Sequence, residues 1–393
     1  MIGFKYSSLF TRYVFKFIII AVISSHFVSS YEYQPGIENP VLNDDPIDDQ
    51  EPNQHLDTSI LQEPEIARYF PRGPWDPVNE IQELEEIEWP NQDHLRKLGQ
   101  IAGLAADKND TLFVFHRGDH HWGYGYQFDE EDHQKHRENG AIKNDTVIIM
   151  NTKTGQVIKS WGANSFYMPH GISLDSDGNV WLTDVVRHQV FRYKRDSYSK
   201  PDLVLGEAFV PGRDDRHFCM PTDVAVSTSG IVYISDGYCN SRILIVSSQG
   251  ELLDEIGLEE GMSIPHSLAL LENENLICVA DRENRRILCF TAGLDGDKPG
   301  VLMRNVLHPR LNRIFSIDNW GRTIFALGID DDPARSEAIA LDIVTESPIS
   351  SFAPASGFRE PHDLTVSPDG QYIYISDMSP EAVRNIYKFK QEI

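Results

Sequence analysis

Short apolar runs that alternate with polar positions recur in pairs along most of this chain, and the second run of a pair typically ends in Asp. Met168-Pro169-His170-Gly171-Ile172 leads to Trp181-Leu182-Thr183-Asp184, and Ile264-Pro265-His266-Ser267-Leu268 leads to Cys278-Val279-Ala280-Asp281. Glu360-Pro361-His362-Asp363-Leu364 leads likewise to Ile375-Ser376-Asp377. The same pair occurs without the Pro-His motif at Ile101–Ala105 with Leu112–His116 and at Pro221–Val226 with Val232–Asp236. A degenerate copy runs from Arg313–Ile317 to Thr323–Ala326. Six units of about 48 residues have the period of four-stranded blades, so the pattern predicts an all-β, six-bladed β-propeller.

His170, His266 and His362 stand 96 residues apart each time, in units two, four and six. In a closed ring of six, those units lie about 120° apart, so side chains aimed at the axis converge on the central channel. A single histidine at a strand start ordinarily caps a turn on the rim. Three at one repeat position, and none at the intervening ones, point to a shared metal. Three imidazoles with a fourth position open are how a catalytic zinc is held. Asp363 follows His362 directly, and alternation along a strand keeps the two from serving one ion. A carboxylate deeper in the channel, near backbone carbonyls, suits calcium, although a buried Asp can also simply bind backbone amides.

Residues just past each second strand return to the rim that carries the histidines, because an antiparallel neighbour ends where the first strand began. That puts Arg117, Tyr238 and Arg282 at the metal mouth, where two arginines can clamp a carboxylate. The same topology pairs Cys219 with Cys239 and Cys278 with Cys289, one of three possible connectivities.

The net charge of −25 over 393 residues argues against nucleic acid as a partner. Residues 1–30 read as a signal peptide or an uncleaved anchor, with Lys5, Arg12 and Lys16 ahead of an apolar run at Phe17–Ile23. Residues 31–84 read as a flexible leader, acidic and broken by prolines, and residues 85–393 as the propeller. The stretch from Ile81 to Trp89 regains apolar character and is expected to join the ring. Asn109-Asp110-Thr111 and Asn144-Asp145-Thr146 are glycan sequons, so Asn109 and Asn144 should be exposed in a protein of the secretory pathway, secreted or held in a granule lumen.

Five segments together resemble the peptidyl-α-hydroxyglycine α-amidating lyases. They are Phe115–His120, Met168–Gly171, His217–Val226, Ser235–Arg242 and Cys278–Asn284. The resemblance covers about residue 85 to the end and implies an NHL-type propeller that releases amidated peptide and glyoxylate from peptides ending in α-hydroxyglycine. It implies zinc on His170, His266 and His362, and structural calcium on Asp363 with the backbone carbonyls of Leu104 and Ile172. It makes Arg117, Tyr238 and Arg282 the catalytic and substrate-binding residues. The family carries Met before the third Pro-His, where this chain has Glu360. The leader is too short to hold the copper-dependent peptidylglycine hydroxylase to which the family is often fused, so a separate hydroxylase is the expected partner.

Two other classes share this fold: calcium-dependent lactonases or esterases, and non-catalytic NHL propellers that bind protein. The first uses carboxylate and Asn ligands, which three symmetric histidines disfavour, and metal content separates the second. His116, His120, His121, His133 and His136 form an irregular group, mixed with acids, that lies partly in the insertion after unit one and reads as a mobile exposed loop rather than a second transition-metal site.

Overall fold

The computed structural model describes residues 82–89, 95–123, 137, 140–257 and 259–391. The N-terminal segment 1–30, most of the leader, His133 and His136 lie outside the described residues. Six antiparallel sheets, the blades, follow one another around a ring. Their innermost strands are Ile101–Asp107, Pro169–Leu174, Asp223–Val226, Pro265–Leu271, Arg313–Trp320 and Pro361–Val366. The last of these packs beside the first, which closes the ring.

Closure uses chain from before blade one. Glu85–Glu86 pairs antiparallel with Ile386–Lys390 and becomes the outermost strand of blade six. Gln82–Glu83 adds a fifth, parallel strand to blade five, two residues into the stretch read as leader. The described part of the Ile81–Trp89 stretch, residues 82–89, thus contributes strands to the ring, and Trp89 is buried against Tyr374.

Six buried clusters each bridge two successive blades. The alternation seen in the sequence explains them, since a blade buries both faces against its neighbours. In blade four, Cys278 and Ala280 face blade five while Ile277 and Val279 face blade three. Both expected disulfides are present, and Cys278–Cys289 joins directly paired residues of adjacent strands.

The Asp that ends the second strand has one repeated task. Asp184, Asp236, Asp281 and Asp377 are fully buried, and each accepts backbone N–H groups from the segment entering its blade's inner strand. Asp236 takes the Cys219 amide at 2.7 Å and also pairs with buried Arg242 at 2.9 Å. Asp236→Ala leaves that guanidinium with Glu255 as its remaining carboxylate and frees the rim segment. A loss of about 3 kcal/mol is expected in thermal or denaturant unfolding; a loss under about 0.5 kcal/mol, the size of an ordinary surface effect, would contradict the anchoring role.

Candidate active site

Three inner strands begin at the rim with Pro-His, and in each the pairing register shifts between the proline and the third residue after it. Proline has no N–H to give the ladder, which favours such an irregularity at a strand start. The bulge relaxes strict alternation. His362 and Asp363, which alternation alone would send to opposite faces, therefore both line the channel.

The imidazoles of His170, His266 and His362 converge, with ring centroids 4.7–5.2 Å apart. Their candidate ligand atoms lie within 4.8 Å of one another. Each Nδ1 meets a main-chain carbonyl of the next blade: Thr222 at 2.8 Å, Phe315 at 2.5 Å and Ala102 at 2.8 Å. A carbonyl only accepts, so each Nδ1 carries the proton and each Nε2 presents a lone pair. Burial, then mutual and arginine repulsion, holds His170 and His266 well below the usual histidine range. Burial and Arg117 hold His362 down at about 3. All three are neutral at physiological pH, the state a metal ligand needs.

The Tyr238 hydroxyl lies 3.0 Å from Nε2 of His170 and 3.1 Å from Nε2 of His266. One phenolic proton cannot satisfy both lone pairs. Inward lone pairs exceed the nearby donors, and a cation at the centre resolves that excess, so these residues fit a metal.

Above the triad opens a cavity of about 600 Å³ lined by Arg117, Arg282, Arg313 and Arg359 among others. In a chain of net charge −25 this is a local cationic well. Arg117 is buried and donates from Nε to the Pro169 carbonyl. Arg282 donates to Glu283, which also holds Arg313, while its guanidinium lies over the rings of Phe315 and Tyr238. Burial pushes Tyr238 above the usual tyrosine value, and Arg282 and Arg117 pull against it without prevailing. A pKa lowered by the arginines is therefore not what the chain's own groups provide.

Below the triad, a second cavity of about 260 Å³ contains Asp223, Asp318 and Asp363, with no Lys or Arg in its lining. Asp363 accepts from the Leu104 amide and the Ser316 hydroxyl, both at 2.7 Å. Burial, with Asp223 adding repulsion, pushes it up to about 7. Burial likewise carries Asp223 to about 7 and Asp318 to about 6.

The NHL repeat profile matches residues 166–193, 218–246 and 262–290. Peptidyl-α-hydroxyglycine α-amidating lyase 2 of Drosophila melanogaster is 36% identical, with 77% of this chain covering 74% of that protein. A Caenorhabditis elegans protein carrying the same family name is 36% identical, with 74% of this chain covering 83% of that protein. The chain belongs to the peptidyl-α-hydroxyglycine α-amidating lyase family. The mouse peptidyl-glycine α-amidating monooxygenase is 39% identical, and this chain spans only 32% of its length.

The structure places Arg117, Tyr238, Arg282 and His362 around one mouth, with the Tyr238 hydroxyl on His170 and His266. Of the five-histidine group, the described members His116, His120 and His121 differ in setting. His116 is a buried strand residue whose Nδ1 accepts from Gly118, and burial takes it to about 4. His120 binds the Tyr167 carbonyl, and His121 lines the mouth. Sequence reasoning missed Gln100, Trp122, Phe315 and Met378, all in the mouth wall. Gln100 and Trp122 carry neither a titratable group nor a repeat position that would have singled them out; Phe315 lies in the degenerate repeat copy and Met378 just past a second strand, but neither side chain titrates. Glu360 also lines the mouth, and its amide is anchored on Asp377.

Proposed function

We propose that this chain is a zinc-dependent lyase that cleaves peptidyl-α-hydroxyglycine into C-terminally amidated peptide and glyoxylate. The observation that carries the reading is the convergence of three Nε2 lone pairs beside the Tyr238 hydroxyl, under a mouth that holds Arg117 and Arg282. His170, His266 and His362 would hold the zinc. When bound, zinc supplies positive charge that lowers the pKa of hydroxyl groups beside it, including the Tyr238 phenol.

The substrate is a carbinolamide. Its carbon–nitrogen bond breaks as the hydroxyl oxygen loses its proton and becomes the aldehyde oxygen of glyoxylate, while the departing amide nitrogen gains a proton. Tyr238 takes the hydroxyl proton and passes it to the departing nitrogen. Arg117 and Arg282 hold the terminal carboxylate and balance charge on the glyoxylate side. The rings of Trp122 and Phe315 exclude water around those charges, which strengthens them.

The test is glyoxylate release from synthetic N-benzoyl-α-hydroxyglycine by zinc-loaded, disulfide-intact protein. Release well above the uncatalysed rate is expected. Its absence would overturn the lyase reading and favour a non-catalytic propeller.

We also propose structural calcium at Asp363, with the Leu104 and Ile172 carbonyls. Three carboxylates in a channel section without a cationic side chain support it. Calcium chelation should lower the unfolding temperature by several degrees, and Asp363→Asn should remove that dependence. An unchanged melting temperature on chelation argues against the ion. A secretory location fits the two disulfides, the absence of free cysteine and the exposed Asn109 and Asn144. The substrate's hydroxyl implies a hydroxylation reaction as its supplier.

A further inference from the structure

Blade one departs from the repeat at the point where the mouth is built. Its second strand ends in His116 rather than Asp, so the carboxylate that anchors the rim in blades two, three, four and six is missing. Gln100, 5% exposed and next to the start of the inner strand, stands in its place. Its Oε1 accepts from Arg117 Nη1 at 3.0 Å and from the Trp122 amide at 2.8 Å. Its Nε2 donates to the Trp122 carbonyl at 3.0 Å and lies 3.3 Å from Nε2 of His121. The Gln100 carbonyl also accepts the Arg117 amide at 2.9 Å. One side chain thus grips both a charged group and the backbone of the segment beside it.

What it grips sits on the reacting groups. The Trp122 ring lies between the Arg117 guanidinium, 5.2 Å from its centroid, and the Tyr238 ring, 5.1 Å away. With Nε on Pro169, and Nη1 on Gln100 and the Met378 sulfur, Nη2 of Arg117 has no hydrogen-bond partner among the described residues and can take a ligand. A guanidinium fixed at two nitrogens loses little freedom when it takes a carboxylate.

We infer that Gln100 is a positioning residue of this site: it orients Arg117 toward the substrate carboxylate and docks Trp122 against Tyr238. The inference rests on the lyase reading for its substrate, but binding can be measured without turnover. Benzoylglycine has the carboxylate and lacks the hydroxyl, so it binds without being cleaved. Its dissociation constant is measured by calorimetry for the wild type, Gln100→Met, Arg117→Ala and the double variant. Methionine preserves length and bulk while removing the hydrogen bonds made by the Gln100 side chain.

Gln100→Met should weaken benzoylglycine about tenfold, and the double variant should bind no more weakly than Arg117→Ala alone. With N-benzoyl-α-hydroxyglycine the loss should fall mainly on KM. With the corresponding carboxamide substrate, which offers Arg117 no carboxylate, wild type and Gln100→Met should differ less than threefold. Zinc content and unfolding temperature, measured in parallel, separate this from misfolding. Wild-type affinity in Gln100→Met, effects that multiply in the double variant, or equal losses on both substrates would each overturn the proposal. If the wild type binds benzoylglycine through the Gln100–Arg117 pair yet releases no glyoxylate, the positioning role stands and the lyase reading falls.

Discussion

Replacing any one of His170, His266 or His362 by Ala should strip the bound metal and cut glyoxylate release by at least about a thousandfold. The three ligands are equivalent by position, each hung from a Pro-His bulge and oriented through Nδ1 by a carbonyl of the next blade. Two imidazoles rarely hold a catalytic ion, and the truncated site would fill with water. Metal content by mass spectrometry and turnover are the two readouts. Full activity in His266→Ala would remove the shared-site argument. His133→Ala and His136→Ala serve as controls and should leave zinc and turnover largely intact; loss of zinc in either would mean that the metal has been assigned to the wrong histidines.

Tyr238→Phe should lower turnover by roughly 10²- to 10⁴-fold, the range for loss of a positioned acid–base group, with zinc content unchanged. The substitution keeps the ring, and so its packing against Trp122 and under Arg282. Only the oxygen between two Nε2 atoms is lost. Burial outweighs the arginines at Tyr238, so the proposed role requires charge from a metal rather than from the mouth alone. Metal-depleted wild type and zinc-loaded Tyr238→Phe should therefore both be poor catalysts, for different reasons. Near-normal turnover in Tyr238→Phe would move the proton transfer to another group, and loss of zinc would recast Tyr238 as a structural support.

The ring, the triad and the rim residues were legible in the chain because a propeller repeats its own local instructions. Each blade is an antiparallel meander whose strands are neighbours in sequence, so alternation and turn spacing report it directly. Equal spacing of His170, His266 and His362 then becomes threefold placement without any knowledge of packing. Arg117, Tyr238 and Arg282 follow by the same rule, since the end of a second strand always returns to the same rim.

Other features depend on contacts that no repeat encodes. The Nδ1 partners of the triad lie on neighbouring blades, and His362 reaches Ala102 only because the ring closes. The sixth blade is completed by Glu85–Glu86, from the opposite end of the chain. Gln100 and Trp122 come from a blade that breaks the Asp pattern, and their polar and aromatic types are ordinary anywhere on a surface. His116 and His121 belong to the same irregular cluster in sequence, but one is sealed in a strand and the other lines the mouth. Periodicity fixes where a side chain sits within its blade. What faces it from the next blade is set by packing around a closed ring, which fixes the protonation, orientation and solvent exclusion of the site.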